Sequence, residues 1–302
     1  MKRRICILAV ILNIAMMLLP VGRMMKCASG EISITVLDVG QGDGIFIRGP
    51  EGNTYLIDGG SSDIKKVGKY RIEPFLKFQG VGTIDYIFVS HGDGDHISGI
   101  EEMIKRMDVG VAIETIVFPE RGVWDEELDR LARLAMEMGV RVVEMKAGQM
   151  LREGELEFVC LAPDFDTNMA DSNASSMVLA LNYGEFNMLF TGDVEGEGEE
   201  KLKEYLKEEL QRSYPEIHWE VLKVAHHGSR NSSTEGFLEL VKPSYSIVSA
   251  GRDNSYGHPH KETVERLEGV GSEVLSTQEY GAITIVTDGE KMKVDGYLDR
   301  EK

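Results

Sequence analysis

The sequence Ser90-His91-Gly92-Asp93-Gly94-Asp95-His96 brings two histidines and two aspartates together within six residues. It follows an apolar run, Ile84 to Val89, typical of a buried strand, and precedes Ile97 to Met107, whose isoleucines recur at helical spacing. The two glycines let the backbone turn tightly while the four side chains converge. Neutral imidazoles and carboxylates are ligands that hydrolytic divalent metals prefer. This loop therefore predicts a metal site between a strand and a helix; the alternative is a helix N-cap surrounded by solvated acids.

Six of the seven histidines lie in short loops that follow apolar strands or glycine turns. Besides the first loop, these are Ala225-His226-His227-Gly228 and Gly257-His258-Pro259-His260. Neighbouring side chains point to opposite faces of an extended backbone, so one of His226 and His227 is expected to bind a metal while the other faces substrate or packs. Asp193 ends another apolar run, where a carboxylate is also common as a turn or helix cap.

Short apolar runs and amphipathic segments alternate along the chain from Glu31 onwards. The runs expected to form strands are Ile32 to Leu37, Gly44 to Ile47, Tyr55 to Ile57, Ile84 to Val89, Val142 to Glu144, Leu156 to Leu161, Met177 to Leu181, Asn187 to Phe190, Val221 to Val224, Tyr245 to Val248, Ile283 to Val286 and Lys291 to Val294. The segments expected to form helices are Ile97 to Met107, Trp124 to Met138, Glu197 to Leu210, Thr234 to Leu240 and Glu262 to Leu267. Two sheet-plus-helix halves without a linker predict an α/β fold, a four-layer αβ/βα sandwich, in one domain of residues 30–302.

The composition excludes several classes of protein. With 33 Lys and Arg against 51 Asp and Glu, the formal net charge is −18, and 42% of the residues are hydrophobic. These values rule out a disordered tail and a polytopic membrane protein, and the acidity argues against a broad basic surface for nucleic acid. The three cysteines lack C-x-x-C spacing, so neither a disulfide framework nor a thiolate zinc site is expected.

The N-terminal segment, residues 1–29, is predicted to be a membrane anchor or a signal segment. Three basic residues in Met1 to Arg4 precede the apolar run Ile5 to Gly22, whose length as a helix, roughly 27 Å, is just under that of a bilayer core. Arg23 and Lys26 follow it without a clear small-residue cleavage site. We expect an uncleaved anchor in the cell membrane, with a cleaved signal and secretion as the alternative. Either one places the rest of the chain outside the cytoplasmic membrane.

Together these loops resemble the metallo-β-lactamase superfamily, whose signature H-x-H-x-D-H is followed by a bridging aspartate and a final histidine. Further motifs resemble the hydrolase domain of ComEC-type competence proteins, which are DNA-uptake channel proteins. These motifs are Leu37-Asp38-Val39-Gly40-Gln41-Gly42-Asp43, Leu56-Ile57-Asp58-Gly59-Gly60, Asn173-x-x-Ser176, Thr191-Gly192-Asp193, His226-His227-Gly228-Ser229 and Tyr256-Gly257-His258-Pro259-His260. The resemblance covers about residues 31 to 295. It does not include the many-helix channel, so we expect a stand-alone relative or a C-terminal piece.

The resemblance implies two divalent metal ions, zinc and/or manganese, held by side chains of these loops. The implied ligands are His91, Asp93, Asp95, His96, Asp193 and His226. His226 is preferred over His227 because it is the first residue off the strand Val221 to Val224 after the Ala225 spacer.

The resemblance is incomplete at one metal position. Asp93 replaces the second histidine of the signature, and Asn173, Ser175 and Ser176 stand where a further histidine is expected. Because oxygen ligands favour manganese or magnesium over zinc, we expect one zinc-compatible position and one weaker, manganese-preferring position.

The expected reaction is metal-dependent hydrolysis. Two divalent ions about 3.5 to 4 Å apart activate water and stabilise charge on a phosphoryl oxygen, and Asp95 is expected to orient that water. Asp58 is expected to hold a metal-bound histidine from behind, or else to be a turn carboxylate. His258 is the candidate to bind phosphate or protonate the leaving oxygen, unless it only supports its loop. The side chains expected around the same mouth are His227, Ser229, Arg230 and His260.

The charge distribution favours a phosphodiester substrate, above all extracellular single-stranded DNA. Residues 221 to 261 carry five bases against three acids on an otherwise acidic chain. Tyr245, Tyr256 and Tyr280 are scattered, so no stacking stripe is expected, and affinity for nucleic acid should come mainly through the metals. The alternatives are a cell-envelope phosphodiester or ester hydrolase, a lactone or lactam hydrolase, and a non-catalytic metal-binding accessory of a separate DNA-uptake channel.

Overall fold

The computed structural model describes residues 30–163, 172–210 and 217–298. The predicted anchor or signal segment, residues 1–29, lies outside these ranges, so the domain boundary at residue 30 stays a prediction. None of the helices in the described part of the chain combines the length and apolarity needed to cross a bilayer.

Strands and helices alternate along the described chain. The strands are β1 (Ile32–Val36), β2 (Ile45–Arg48), β3 (Thr54–Ile57), β4 (Thr83–Phe88), β5 (Ala112–Pro119), β6 (Arg141–Met145), β7 (Met150–Glu153), β8 (Leu156–Ala162), β9 (Val178–Tyr183), β10 (Phe186–Phe190), β11 (Val221–Lys223), β12 (Tyr245–Val248), β13 (Glu273–Ser276), β14 (Ile283–Thr287) and β15 (Met292–Gly296). The α-helices are α1 (Glu73–Phe78), α2 (Gly94–Ile104), α3 (Glu126–Glu137), α4 (Glu197–Tyr205), α5 (Glu235–Val241), α6 (Lys261–Gly269) and α7 (Thr277–Tyr280). Single turns of π-helix or 3-10 helix occur at Gly68–Ile72, Arg121–Val123, Leu206–Leu210 and Ala225–Gly228.

The strands form two mixed sheets. The first has the order β15-β14-β1-β2-β3-β4-β5-β6, and the second has the order β13-β12-β11-β10-β9-β8-β7. In the first sheet β3 to β6 are parallel, and in the second β10 to β13 are parallel. The C-terminal hairpin of β14 and β15 returns to the first sheet, where β14 pairs antiparallel with β1.

Apolar packing divides the molecule into four layers. One core lies between the sheets and includes Phe88 from β4 and Phe158 from β8, whose rings are 5.2 Å apart. A second core lies between the first sheet and its helices, and it includes Ile100 of α2 and Leu131 of α3. A third joins the second sheet to its helices through residues such as Leu238. Several central strands, such as β4 and β10, are covered on both faces, and their residues are therefore mostly apolar. The predicted four-layer αβ/βα sandwich is confirmed.

Most predicted elements are present with ends shifted by a few residues, and the differences have simple causes. Strand β5 was not predicted, because its apolar part is short and follows the charged Glu114. The edge strands β7 and β13 are also additional; each is four residues long and carries charged side chains. Helix α2 begins at Gly94, inside the loop from Ser90 to His96, and not at Ile97.

Candidate metal centre

The candidate site lies where the two sheets present the carboxyl ends of their parallel strands. Asp58 follows β3, and the loop from Ser90 to His96 follows β4 and opens α2. From the second sheet, Asp193 lies just beyond β10, and the adjacent histidines His226 and His227 lie just beyond β11. Ligands of α/β proteins bind outside the carboxyl ends of parallel strands, so the fold brings these loops to the expected position.

His96 lies between two buried carboxylates. Its Nδ1 is 2.8 Å from Oδ2 of Asp58, and its Nε2 is 3.1 Å from Oδ1 of Asp193. Asp58 also accepts hydrogen bonds from the backbone N–H of Ser90 at 2.8 Å and from the Ser90 hydroxyl at 2.7 Å. Asp58 therefore fixes the His96 ring with Nε2 facing the site, as a carboxylate behind a metal-binding histidine does.

His91 packs beside His96, and the two rings are tilted by 51°. The two ring centroids are 4.2 Å apart. Nδ1 of His91 is 2.9 Å from the hydroxyl oxygen of Ser90, while Nε2 is buried without a hydrogen-bond partner. Both histidines of the first loop thus use Nδ1 for a contact within the protein and turn Nε2 inward.

His227 completes the inner group from the second sheet. Its Nδ1 is 3.0 Å from the carbonyl oxygen of Ser249, so the ring is held from behind. Its Nε2 lies 3.4 Å from Oδ2 of Asp95 and 3.6 Å from Oδ2 of Asp193. The side chain is buried. His227 therefore occupies the place in the centre that the sequence argument gave to His226.

His226 stands at the rim. Its side chain is 24% exposed, its Nδ1 is 2.9 Å from Oε2 of Glu195, and its Nε2 is 3.7 Å from Asp193. The sequence argument assumed an extended backbone, but both histidines adopt the left-handed conformation, with φ of 48° for His226 and 53° for His227. Their side chains therefore do not alternate as in a strand, and we revise the choice of inner histidine to His227.

The two aspartates of the first loop lie at different depths. Asp95 is in the first turn of α2, and its carboxylate approaches His227 at the centre. Asp93 precedes α2, its side chain is 45% exposed, and its Oδ2 lies 3.8 Å from Nε2 of His91. It also accepts a hydrogen bond from the hydroxyl of Ser172 at 3.1 Å. Asp93 therefore borders the centre on its open side.

Residues 172–176 border the cluster on the side of the second sheet. The hydroxyl oxygen of Ser176 accepts a hydrogen bond from the backbone N–H of Asp193 at 3.2 Å, which fixes the strand end that carries this carboxylate. The backbone carbonyl oxygen of Asn173 accepts a hydrogen bond from the backbone N–H of Ser176 at 3.0 Å. Asn173 therefore shapes the loop next to Asp93, and Ser175 and Ser176 are buried behind it.

Two buried charged residues that the sequence analysis did not single out lie beneath the cluster. Nζ of Lys223 donates to Oδ2 of Asp43 at 2.7 Å and to the carbonyl oxygen of Val224 at 3.0 Å. Oδ1 of Asp43 has no hydrogen-bond partner and lies 3.6 Å from Nδ1 of His227. A signal was present in the sequence, because Lys223 interrupts an apolar strand, but only the fold shows that Asp43 is its partner.

The electrostatic environment of the cluster favours added positive charge. Burial raises the pKa of Asp193, but the charges of His96 and His227 outweigh burial and hold that pKa well below its usual range. Burial lowers the pKa of His227, yet Asp193, Asp43 and Asp95 together raise it to about 9. The pKa of His96 also lies well above its ordinary value, because nearby carboxylates outweigh burial.

The donor atoms of the cluster fit a divalent metal centre. Several buried polar atoms of the described residues make no hydrogen bond of good geometry, and the cluster contributes Nε2 of His91 and His227, Oδ1 of Asp43, and the close pair of His96 Nε2 and Asp193 Oδ1. Among the described residues, the sets whose ligand atoms lie within 4.8 Å of one another are His91–His96–Asp193, Asp95–His96–His227, Asp43–Asp193–His227 and Asp43–Asp58–His96. Each unsatisfied buried group costs about 1–3 kcal/mol, and imidazole nitrogen with carboxylate oxygen is a common metal ligand set. One or two bound cations would satisfy the three imidazole nitrogens together with Oδ1 of Asp193.

His258 lies at the mouth of the centre. Its ring centroid is 5.5 Å from that of His226 and 6.3 Å from that of His227, and its Nδ1 is 3.4 Å from Nε2 of Gln41. Burial and the positive charges of His227 and His226 lower the pKa of His258 to about 4. The ring is therefore neutral at pH 7, which suits hydrogen bonding to a substrate better than donation of a proton to a leaving group.

The other residues predicted around the mouth have mainly supporting contacts. Nδ1 of His260 accepts the backbone N–H of Arg230 at 3.1 Å, and the ring lies 4.9 Å from that of His258. Ser229 is buried, and its carbonyl oxygen accepts the Thr263 hydroxyl at 2.9 Å. Arg230 is exposed on the same loop. Of these three, Arg230 is the most exposed and His260 is partly exposed.

Curated relatives confirm the resemblance to ComEC-type competence proteins. The chain is 32% identical over 270 residues to ComE operon protein 3 of Bacillus subtilis (strain 168), covering 85% of this chain and 33% of that protein. It is 30% identical over 254 residues to competence protein ComA of Neisseria gonorrhoeae, covering 84% of this chain and 32% of that protein. The chain thus spans about a third of the length of these relatives.

Solved structures and family models agree on the fold. The metallo-beta-lactamase fold protein YhfI from Bacillus subtilis superposes with a TM-score of 0.54 at 13% identity, covering 85% of this chain and 99% of that one. The model of the Metallo-beta-lactamase superfamily matches residues 37–252, a range that holds every inner residue of the cluster. Divalent metals are bound by this fold. The chain therefore belongs to the metallo-beta-lactamase superfamily.

Proposed function

We propose that this chain is a metal-dependent phosphodiesterase that hydrolyses single-stranded DNA during DNA uptake. The observation that carries the proposal is the convergence of three inward-facing Nε2 atoms and the carboxylates of Asp95 and Asp193 where the two sheets present the carboxyl ends of their parallel strands. The competence relatives supply the context in which such an activity would act on DNA. We also propose that the domain lies outside the cytoplasmic membrane and acts next to a DNA-uptake channel.

The residues divide into two proposed metal positions that share Asp193. Asp95, His96 and His227 would hold one ion, and His91 with Asp93 would contribute to the other. The first position has two imidazoles and is compatible with zinc, whereas the exposed Asp93 makes the second richer in oxygen and favourable to manganese. When bound, such a metal pair supplies activated water and stabilises charge on a phosphoryl oxygen.

The protein's own side chains orient this centre. Asp58 holds Nδ1 of His96, and the Ser249 carbonyl holds Nδ1 of His227, so both Nε2 atoms face inward and bind a cation once they have lost their protons. The carboxylate of Asp95 is placed to accept a proton from water at the centre. Since Nδ1 of His258 lies next to the Gln41 amide, its Nε2 is free to donate a hydrogen bond to a phosphoryl oxygen.

A panel of substrates tests the proposal. The full chain is incubated in Mn²⁺ or Zn²⁺ with labelled single-stranded DNA, with bis-p-nitrophenyl phosphate and with a β-lactam. We expect the unsubstituted protein to hydrolyse both phosphodiesters and the Asp95→Ala and His227→Ala variants to lose this activity. The control variant Asp295→Ala, which removes an exposed carboxylate on β15, should keep it. Hydrolysis of the β-lactam alone would overturn the proposal. Metal binding without any hydrolysis would indicate a non-catalytic accessory instead.

A further inference from the structure

Tyr256 is an exposed aromatic side chain attached directly to the mouth of the metal centre. Its ring stacks on His258, with centroids 5.6 Å apart and an interplanar angle of 24°, and 57% of its surface is exposed. His258 in turn borders His226 and His227. One imidazole ring therefore separates the phenol of Tyr256 from His226 at the rim and His227 at the centre. The sequence showed only a scattered tyrosine at this position.

The loop that carries Tyr256 is held in place by polar contacts on both sides of this residue. The Asn254 amide donates to the carbonyl oxygens of Gly251 and His258 at 2.7 and 2.6 Å, and its oxygen accepts the backbone N–H of His258 at 2.9 Å. The amide of Gln278 on α7 donates to the same two carbonyl oxygens at 2.6 and 2.9 Å. An exposed ring on such a braced loop loses little conformational freedom when a flat ligand binds.

We propose that Tyr256 is a stacking platform for an unpaired nucleobase of the strand whose phosphate lies at the metal centre. The inference rests on the proposed phosphodiesterase function and adds to it a base-binding subsite. Every nucleobase has a π-face, so stacking on an aromatic ring gives affinity without sequence preference. A paired and stacked base in a duplex cannot use the platform in the same way. The subsite would therefore select single strands over duplexes next to the scissile phosphate.

Binding to strands with and without bases tests the platform. Two labelled strands of twelve nucleotides are used, one of thymidines and one abasic, and both have phosphorothioate linkages that slow hydrolysis. The full chain is titrated into each strand in the presence of Mn²⁺, and fluorescence anisotropy gives each Kd. We expect Tyr256→Ala to raise the Kd for the thymidine strand about fivefold or more and to leave the Kd for the abasic strand within about twofold. Tyr256→Trp should keep the preference for bases.

Phe78→Ala is the matched control. Phe78 is also an exposed aromatic residue, at 47%, and it is the last residue of α1. It lies far from the site, because the carbonyl oxygen of the next residue, Gln79, accepts a hydrogen bond from Arg48 at the opposite end of the first sheet. This variant should change neither Kd. Equal weakening of both strands by Tyr256→Ala, or no weakening of either, would overturn the platform.

A separate measurement distinguishes failure of the platform from failure of the proposed function. Hydrolysis of bis-p-nitrophenyl phosphate by the unsubstituted protein reports the metal-dependent chemistry without a nucleobase. If that hydrolysis occurs and the base preference is absent, the platform is wrong and the phosphodiesterase stands. If no phosphodiester is hydrolysed but the base preference depends on Tyr256, the platform stands as a binding subsite and the proposed function is wrong.

Discussion

Nζ of Lys223 lies 2.7 Å from Oδ2 of Asp43, and both side chains are only 1% exposed. This ion pair joins the second sheet to the loop after β1, directly beneath the metal centre. Lys223 and the neighbouring histidines hold the pKa of Asp43 well below its usual range, although burial alone would raise it. Asp43 is therefore ionised, and its second oxygen faces His227.

Removing the lysine should destabilise the fold. Lys223→Met leaves the buried Asp43 carboxylate without its main counter-charge, and we expect the free energy of unfolding to fall by about 3 kcal/mol or more. Denaturant titration in the presence of chelator measures the free energy of unfolding. The double variant with Asp43→Asn should recover much of this loss, because it removes the unpaired charge. A single variant as stable as the unsubstituted protein would show that the pair does not stabilise the fold.

Asp58→Asn should weaken metal binding while leaving the backbone intact. Asp58 has φ of 54°, a left-handed conformation that asparagine also adopts readily. Loss of the carboxylate behind His96 should lower metal affinity about 10- to 100-fold, measured by competition with a chromogenic chelator. Asp85→Asn serves as the control, because Asp85 accepts from Thr54 at the other end of β3. Equal metal affinity in both variants would contradict the role of Asp58.

The adjacent histidines provide a direct comparison. His227→Ala removes an inner Nε2 and should abolish tight metal binding, whereas His226→Ala, at the rim and paired with Glu195, should weaken it by about tenfold at most. Isothermal titration with Mn²⁺ and Zn²⁺ measures both. The reverse order of effects would restore the sequence-based choice of His226.

The metal-free protein should lose stability in mildly alkaline solution. The pKa of His227 is raised to about 9 in the folded state from 6.5, so its protonation contributes stability that is full below pH 6.5 and lost as pH rises towards 9. The raised pKa of His96 acts in the same direction. We expect the Tm of chelator-treated protein to fall across this window.

Metal binding should reverse this trend, since ligands must lose their protons before a cation binds. The rise in Tm on adding Mn²⁺ should therefore grow between pH 6.5 and 9. Thermal scans with chelator and with Mn²⁺ at several pH values measure both effects. A Tm independent of pH without metal, or a metal effect that shrinks as pH rises, would contradict the electrostatic description of the cluster.

The sequence predicted the fold and most of the cluster because local patterns carry that information. Two histidines and two aspartates within six residues after an apolar run identify the first loop without any tertiary contact. The choice between His226 and His227 depended on backbone conformation, and their left-handed φ angles break the alternation on which the argument relied.

Long-range contacts carry the rest of the site. Asp43 and Lys223 are 180 residues apart in the sequence, and each is an ordinary charged residue until the two sheets pack. The stacking of Tyr256 on His258 depends in the same way on how the loop after β12 is braced by α7. Such pairings follow from the tertiary structure and leave no periodic pattern in the sequence.

Cleavage of single-stranded DNA tests the proposed metal centre most directly. The full chain is stripped of metal, and cleavage of a 5′-labelled single-stranded oligonucleotide is measured before and after Mn²⁺ is returned. The matched variant is Asp193→Asn, which removes the buried charge that both proposed metal positions share. We expect no cleavage without metal, cleavage with Mn²⁺, and none by the variant under either condition. Cleavage without metal, equal cleavage by Asp193→Asn, or no cleavage by the metal-loaded protein would contradict the proposed function.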